Sequence, residues 1–301
     1  MACFRSDRSG LLVLVTAGAL ALTSAPRRVL AQQPQNPSPM VEHTRAHPRL
    51  AETKPPGRRE ALELGTLFLP ERLVPEPGKT RTVPLALVFH AGSWLPEAAG
   101  HVAGTAVIGV QITAGSGGYA AAMAEAGRFS SLLDEAERKT GVRSFRPITL
   151  VGWSAGCGAL RELLRQPEAV SRVDRLIAID GIHTDYVDGK PGPLEPRLET
   201  GKLEPWLAFA REAMAGRKRL LVLHTEIFPG TFASTTETAD WLIRELGLRR
   251  RAVARWGPMG TVLLSDTRAG GGLRIQGYAG NSAPDHVDLL HALPDLLRMR
   301  E

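Results

Sequence analysis

Only two cysteines occur in the 301 residues, Cys3 and Cys157. Cys3 lies ahead of an apolar run near the N-terminus, so the rest of the chain holds one thiol and no internal disulfide, which excludes a cysteine-stapled scaffold. Cys3 also precedes that run instead of following it, which argues against a lipid anchor. The run itself, residues 11–22, is too short to span a bilayer as a helix. Excess charge is small: of the formal +6, +3 sits in residues 1–31 (Arg5, Arg8, Arg27 and Arg28 against Asp7), and the remaining +3 is too mild to imply a nucleic-acid partner. No His/Cys/Asp grouping has metal-ligand spacing, so neither a metal nor another cofactor is expected. Gly115-Ser116-Gly117-Gly118 lacks the lysine of a phosphate loop and the spacing of a dinucleotide fingerprint, and reads as a plain loop. No internal repeat is found.

Arg5 and Arg8 before a short apolar stretch, with Val29-Leu30-Ala31 before Gln32, read as an export signal covering residues 1–31. The expected location is therefore secreted or periplasmic, with no membrane segment left after cleavage. Residues 32–58, rich in Gln, Pro and Asn, read as a flexible arm. Residues 59–301 are long enough for one domain with a substantial core.

From about residue 61 an edge strand is expected, followed by turn-rich sequence at 70–79. Beyond residue 83, short apolar runs alternate with helical stretches, the pattern of βαβ units and a mostly parallel sheet with helices on both faces. Strands are predicted at 84–90, 105–112, 147–153, 175–180, 219–225 and 273–278, and helices at 119–139, 155–165, 234–246 and 287–298. Residues 183–217 exceed an ordinary connection and read as a lid-like insertion, with a helix predicted at 204–215.

The chemistry concentrates at Ile148-Thr149-Leu150-Val151-Gly152-Trp153-Ser154-Ala155-Gly156, an apolar strand followed by a Gly-x-Ser-x-Gly turn and a small-residue helix start. A serine in so sharp a turn projects its hydroxyl above the sheet, and the helix N-terminus favours developing negative charge. With the upstream turn His90-Ala91-Gly92-Ser93-Trp94 and the late His286, this segment resembles the α/β-hydrolase superfamily in its order of elements over residues 83–298. The resemblance implies the three-layer α/β-hydrolase fold, Ser154 as nucleophile and His286, after the last strand, as base.

The acid stays open between Asp180, ending one strand, and Glu226, following another, with Asp180 preferred. Asp285 and Asp288 read as helix N-terminal acids. The resemblance further implies oxyanion donors at the N–H of Ala155 and in the loop after His90. Ala91 stands where glycine is usual, so Gly92 and Ser93 are both candidates, and His90 reads as a brace for that loop. Trp94 and Trp153, beside the two turns, are candidate substrate contacts.

Other residues take plainer readings: Cys157 as buried packing, and Arg249-Arg250-Arg251 as a solvated basic patch or, more sharply, a carboxylate-substrate site. The competing histidines His43, His47, His101, His224 and His291 fit the base position less well. The implied activity is acyl transfer to water on a small ester. An amidase or peptidase with the same triad and a non-catalytic binding protein on the same fold are the alternatives.

Overall fold

Near-continuous apolar runs in four consecutive buried strands dictate the architecture, a sheet covered on both faces. In β3 (Thr82–Phe89), Leu85, Leu87 and Phe89 face one helical layer while Ala86 and Val88 face the other. The same alternation holds in β5 (Ser144–Trp153), β6 (Arg175–Ile179) and β7 (Arg219–His224), where Leu176 and Ala178 oppose Ile177 and Ile179. Strands apolar on both faces in this way belong to parallel sheets with helices on each side. The computed structural model describes residues 49–187, 189 and 197–299, all within one compact unit.

The remaining strands are β1 (Gly57–Ala61), β2 (Thr66–Pro70), β4 (Ala106–Val110), β8 (Ala252–Trp256), β9 (Val262–Ala269) and β10 (Leu273–Tyr278). Their spatial order is β1-β2-β4-β3-β5-β6-β7-β10-β9-β8. The six strands from β4 to β10 in that order are mutually parallel. β1 and β2 close one edge antiparallel, and β9 and β8 close the other. One face carries α1 (Trp94–Ala103) and the C-terminal pair α8 (Ala283–His291) and α9 (Leu293–Arg298). The other carries α2 (Ser116–Met123), α3 (Arg128–Thr140), α4 (Cys157–Leu164), the short α5 (Pro167–Arg172), α6 (Glu204–Met214) and α7 (Thr235–Glu245).

The six strands predicted beyond residue 83 are present with ends shifted by a few residues. The helix expected over 119–139 is two, α2 and α3, separated by a turn at 124–127. The helix expected over 287–298 begins earlier and also divides, because Pro294 starts α9. α1 was hidden by Pro96, which a helix tolerates in its first turn, where no backbone donor is lost. β8 and β9 escaped because charge, not an apolar run, holds them: Arg255, Arg268 and Arg274 all bond the buried Asp266.

The lid-like reading of 183–217 needs correction. α6 buries Trp206, Phe209, Ala210 and Ala213 against the sheet, so it is the crossover helix that a parallel β6–β7 pair requires, not a cover. The excursion proper precedes it and contains the bridge between Tyr186 and Leu198. Residues 188 and 190–196 of this excursion lie outside the described residues, as do the expected export signal, Cys3, His43, His47 and most of the expected arm. The end of that arm is docked, since Arg49 pairs with Asp288 at 2.7 Å and the N–H of Leu50 donates to His291 at 3.1 Å. Strand β1 also begins two residues ahead of the expected domain start.

Candidate functional site

Parallel strands deliver their carboxyl ends to one rim, the place where sheets of this kind bind ligands. The residues that follow β3, β5, β6 and β7 are His90, Ser154, Asp180 and Thr225. Pairing of Phe89 with Gly152 and of Trp153 with Ile179 sets His90 and Asp180 on either side of the Ser154 turn. Among the described residues four non-glycines have left-handed φ, and three are these: His90 (69°), Ser154 (50°) and Asp180 (47°). Each costs on the order of 1–3 kcal/mol, which the surrounding packing must hold in place.

That packing is visible at two glycines. A Cβ on Gly156 would lie 2.3 Å from the carbonyl oxygen of Phe89, and one on Gly181 would lie 2.4 Å from that of Ser154. Only bare backbone lets β3, the Ser154 turn and the residue after Asp180 come so close. From Ser154 the chain makes one 3-10 turn, Ser154–Gly156, and enters α4. Cys157 is buried and donates to the carbonyl of Gly152 at 3.3 Å; burial pushes its thiol up, so it stays protonated packing.

The acid that meets His286 is Asp180. Its Oδ2 lies 2.7 Å from His286 Nδ1. Asp180 is 3% exposed and also accepts from the Thr225 N–H (3.0 Å), the Thr225 hydroxyl (2.7 Å) and the Thr235 hydroxyl (2.5 Å). Burial alone would raise its pKa, but the bonds from His286, Thr235 and Thr225 outweigh burial and hold it at about 2. An ionised carboxylate only accepts, so Nδ1 of His286 carries the proton between them, which leaves Nε2 as the ring atom that can take one up.

Glu226 is not brought to His286. It is exposed, its Oε2 accepts from the N–H of Gly280 at 3.3 Å, and its own N–H donates to the Gly280 carbonyl at 2.9 Å. It ties the connection after β7 to the one after β10.

His286 was expected in a loop and instead occupies the first turn of α8. Ser282 and Asp285 form the capping box that starts this helix early, with Pro284 in the first turn. Asp285 therefore has the helix-terminal role expected of it, whereas Asp288 is buried and paired with Arg49.

The loop after β3 is only partly available. The N–H of Gly92 donates to Gln111 Oε1 at 3.2 Å, and Ser93 is exposed just ahead of α1 without a side-chain cap. His90 has the bracing place expected: its Nδ1 lies 3.0 Å from the Tyr119 hydroxyl, which also accepts from the N–H of Ile112. Burial lowers the His90 pKa, the Thr113 carbonyl raises it and His286 lowers it again, with a net downward shift.

The two tryptophans differ from a simple substrate wall. Trp94 starts α1 and lies against the His291 ring, 5.8 Å between centroids. Trp153 is half-buried and stacks on His90 at 5.2 Å and on His286 at 4.6 Å between ring centroids.

Residues that sequence reasoning missed include Thr225 and Thr235, which hold Asp180, and Tyr119 and Gln111, which hold the loop after β3. His183 was missed too: its ring meets Phe232 edge-on at 5.2 Å, and burial lowers its pKa to about 4. None carries a local pattern, because each acts across a long sequence separation. Arg250 is not a solvated patch: its guanidinium reaches the buried His224 at 2.9 Å and Ser265 at 2.7 Å. His101 lies in α1 and His291 ends α8, both away from the Ser154 turn in the chain.

No helix among the described residues is long and apolar enough to cross a membrane, and among them no cluster of three or more His, Cys, Asp or Glu could hold a metal ion.

The strand order with its parallel centre, and the serine turn at the end of β5, are those of the α/β-hydrolase fold. No protein-family model and no curated protein matches the sequence. Among solved structures the chain is similar to an esterase from Pyrobaculum calidifontis, with 10% identity, 86% of this chain and 88% of that one covered, and a TM-score of 0.44. It is also similar to a thermophilic carboxylesterase cloned from a metagenomic library (13% identity, 86% and 92% covered, TM-score 0.43). A third is carboxyl esterase 2 of Tuber melanosporum (14% identity, 84% and 89% covered, TM-score 0.45).

Proposed function

We propose that the chain is a serine hydrolase that cleaves small carboxylic esters through Ser154, His286 and Asp180. The observation that carries this reading is the 2.7 Å contact between Asp180 and the Nδ1 of His286, at the same rim as a serine held at φ 50°. A serine hydroxyl is a weak nucleophile until a base takes its proton, and Nε2 of a neutral His286 is that base. Ser154 Oγ attacks the ester carbonyl as its proton passes to Nε2, and the buried carboxylate of Asp180 stabilises the resulting imidazolium. The N–H of Ala155, with a donor from the loop after His90, faces the oxyanion. Collapse releases the alcohol, which takes the proton back from His286 and leaves an acyl group on Ser154. Water, deprotonated by His286, then frees the acid. Esters are preferred to amides because their leaving groups need less activation.

The test is labelling by a fluorophosphonate together with turnover of a p-nitrophenyl ester. Wild-type protein should show both, and Ser154→Ala neither. A non-catalytic binding protein on the same fold is the second reading, favoured by one observation: the Gly92 N–H, a candidate oxyanion donor, is already bonded to Gln111. Absent labelling of folded wild-type protein would favour it. Export remains part of the proposal, with an intact mass that starts near Gln32 as its check.

A further inference from the structure

Trp153, the residue between the two fixed positions Gly152 and Ser154, makes two different contacts with one partner. Its indole Nε1–H donates to the backbone carbonyl of His286 at 3.1 Å, and its ring stacks on the His286 imidazole at 4.6 Å with 30° between planes. The indole also stacks on His90 at 5.2 Å and 19°. His90 is itself held edge-on by Tyr119 at 5.3 Å and through its Nδ1. The indole thus contacts rings carried by the end of β3 and the start of α8.

We propose that Trp153 is a positioning residue for His286, not a wall of the substrate pocket. This rests on the reading of His286 as the base. The argument is geometric. Asp180 fixes His286 at one atom, Nδ1, and a single contact leaves the ring free to swing about it. The bond to the His286 carbonyl fixes the start of α8, and the stacked face fixes the plane of the ring. Together the three contacts leave one direction for Nε2. Because the same tryptophan immediately precedes Ser154, the distance from nucleophile to base is set through one rigid side chain with few rotatable bonds. The indole N–H and the ring contacts commit Trp153 to its protein neighbours.

The charges facing His286 agree with this role. Asp180, from the end of β6, supports an imidazolium. His90 and His183, from the ends of β3 and β6, both have lowered pKa values through burial and so do not oppose it. On its own helix, Asp285 is committed to Ser282 and Asp288 to Arg49.

The experiment compares Trp153→Phe, which keeps an aromatic face but loses the Nε1 donor, with Trp153→Leu, which loses both. kcat should fall about three- to tenfold in Trp153→Phe, the value of one hydrogen bond, and on the order of a hundredfold in Trp153→Leu, with KM nearly unchanged in both. A raised KM at wild-type kcat would instead make Trp153 a substrate wall and overturn the proposal, as would full kcat in Trp153→Leu. A second measurement does not need turnover: the proton on Nδ1 of His286 should give a sharp low-field NMR signal in the wild type that broadens in Trp153→Leu and is kept in Trp153→Phe. An unchanged signal in Trp153→Leu would overturn the proposal. Wild-type protein without ester turnover but with this pattern would sink the hydrolase reading and leave the positioning role standing. If Trp153→Leu does not fold, Trp153→Phe still decides through its kcat and KM.

Discussion

Asp180 and His286 stand 106 residues apart in sequence and 2.7 Å apart in space. The carboxylate that makes this contact is buried and carries three further bonds, while Glu226, the other acid at a strand end, is exposed and bonded to backbone at Gly280.

This contrast sets the first prediction. Asp180→Asn should lower kcat by about 10⁴, because the amide no longer selects the Nδ1–H tautomer or stabilises an imidazolium. Glu226→Gln should stay within about threefold of wild type, since an amide oxygen accepts from the Gly280 N–H as well. Ester turnover measured on both variants decides it, and the reverse order would move the acid to Glu226.

A stability prediction follows from the same residue. The pKa of Asp180 is depressed from 3.8 to about 2 in the folded chain, so the unfolded chain takes up its proton first as pH falls. The stability that this carboxylate contributes is complete above pH 3.8 and is lost as pH falls toward about 2. Denaturation midpoints of wild type and Asp180→Asn should therefore differ most above pH 4 and converge below it. A gap that stays constant from pH 5 to 2 would contradict the linkage.

Ser154→Ala should abolish labelling and turnover, with a loss approaching 10⁶ in kcat, yet leave the thermal transition in place. Ser154→Gly should be equally inactive but more stable by about 1 kcal/mol, because glycine accepts φ 50° without strain. A calorimetric scan of the two variants separates the lost hydroxyl from the relieved backbone.

His286→Ala should remove most ester turnover, because Ser154 loses the group that takes its proton. Turnover close to wild type in this variant would require another base.

Gly156→Ala should cost about 1–3 kcal/mol, since the new methyl meets the Phe89 carbonyl at 2.3 Å and must push β3 or the serine turn aside. Labelling should fall with stability, because the turn that presents Ser154 is the part that moves. A variant as stable and as reactive as wild type would show that the close approach is not needed.

Local pattern alone determined much of this molecule. The continuous apolar runs of β3, β5, β6 and β7 specified a buried parallel sheet, and the strand–Gly-x-Ser-x-Gly–helix order specified where Ser154 stands, because both follow from interactions between near neighbours in the chain. Even the start of α8 was written in Ser282, Pro284 and Asp285, although the loop reading of His286 passed over it. Tertiary structure alone decided which acid meets His286, since Asp180 and Glu226 both follow apolar strands and differ only in what surrounds them. The threonines that hold Asp180 come from β7's end and from the first residue of α7. It likewise decided that α6 is a core helix, that the Arg-rich β8–β9 edge belongs to the sheet, and that Trp153 stacks on the imidazoles of His90 and His286. Each of these depends on partners from separate elements converging on one point, and a one-dimensional pattern does not encode that convergence.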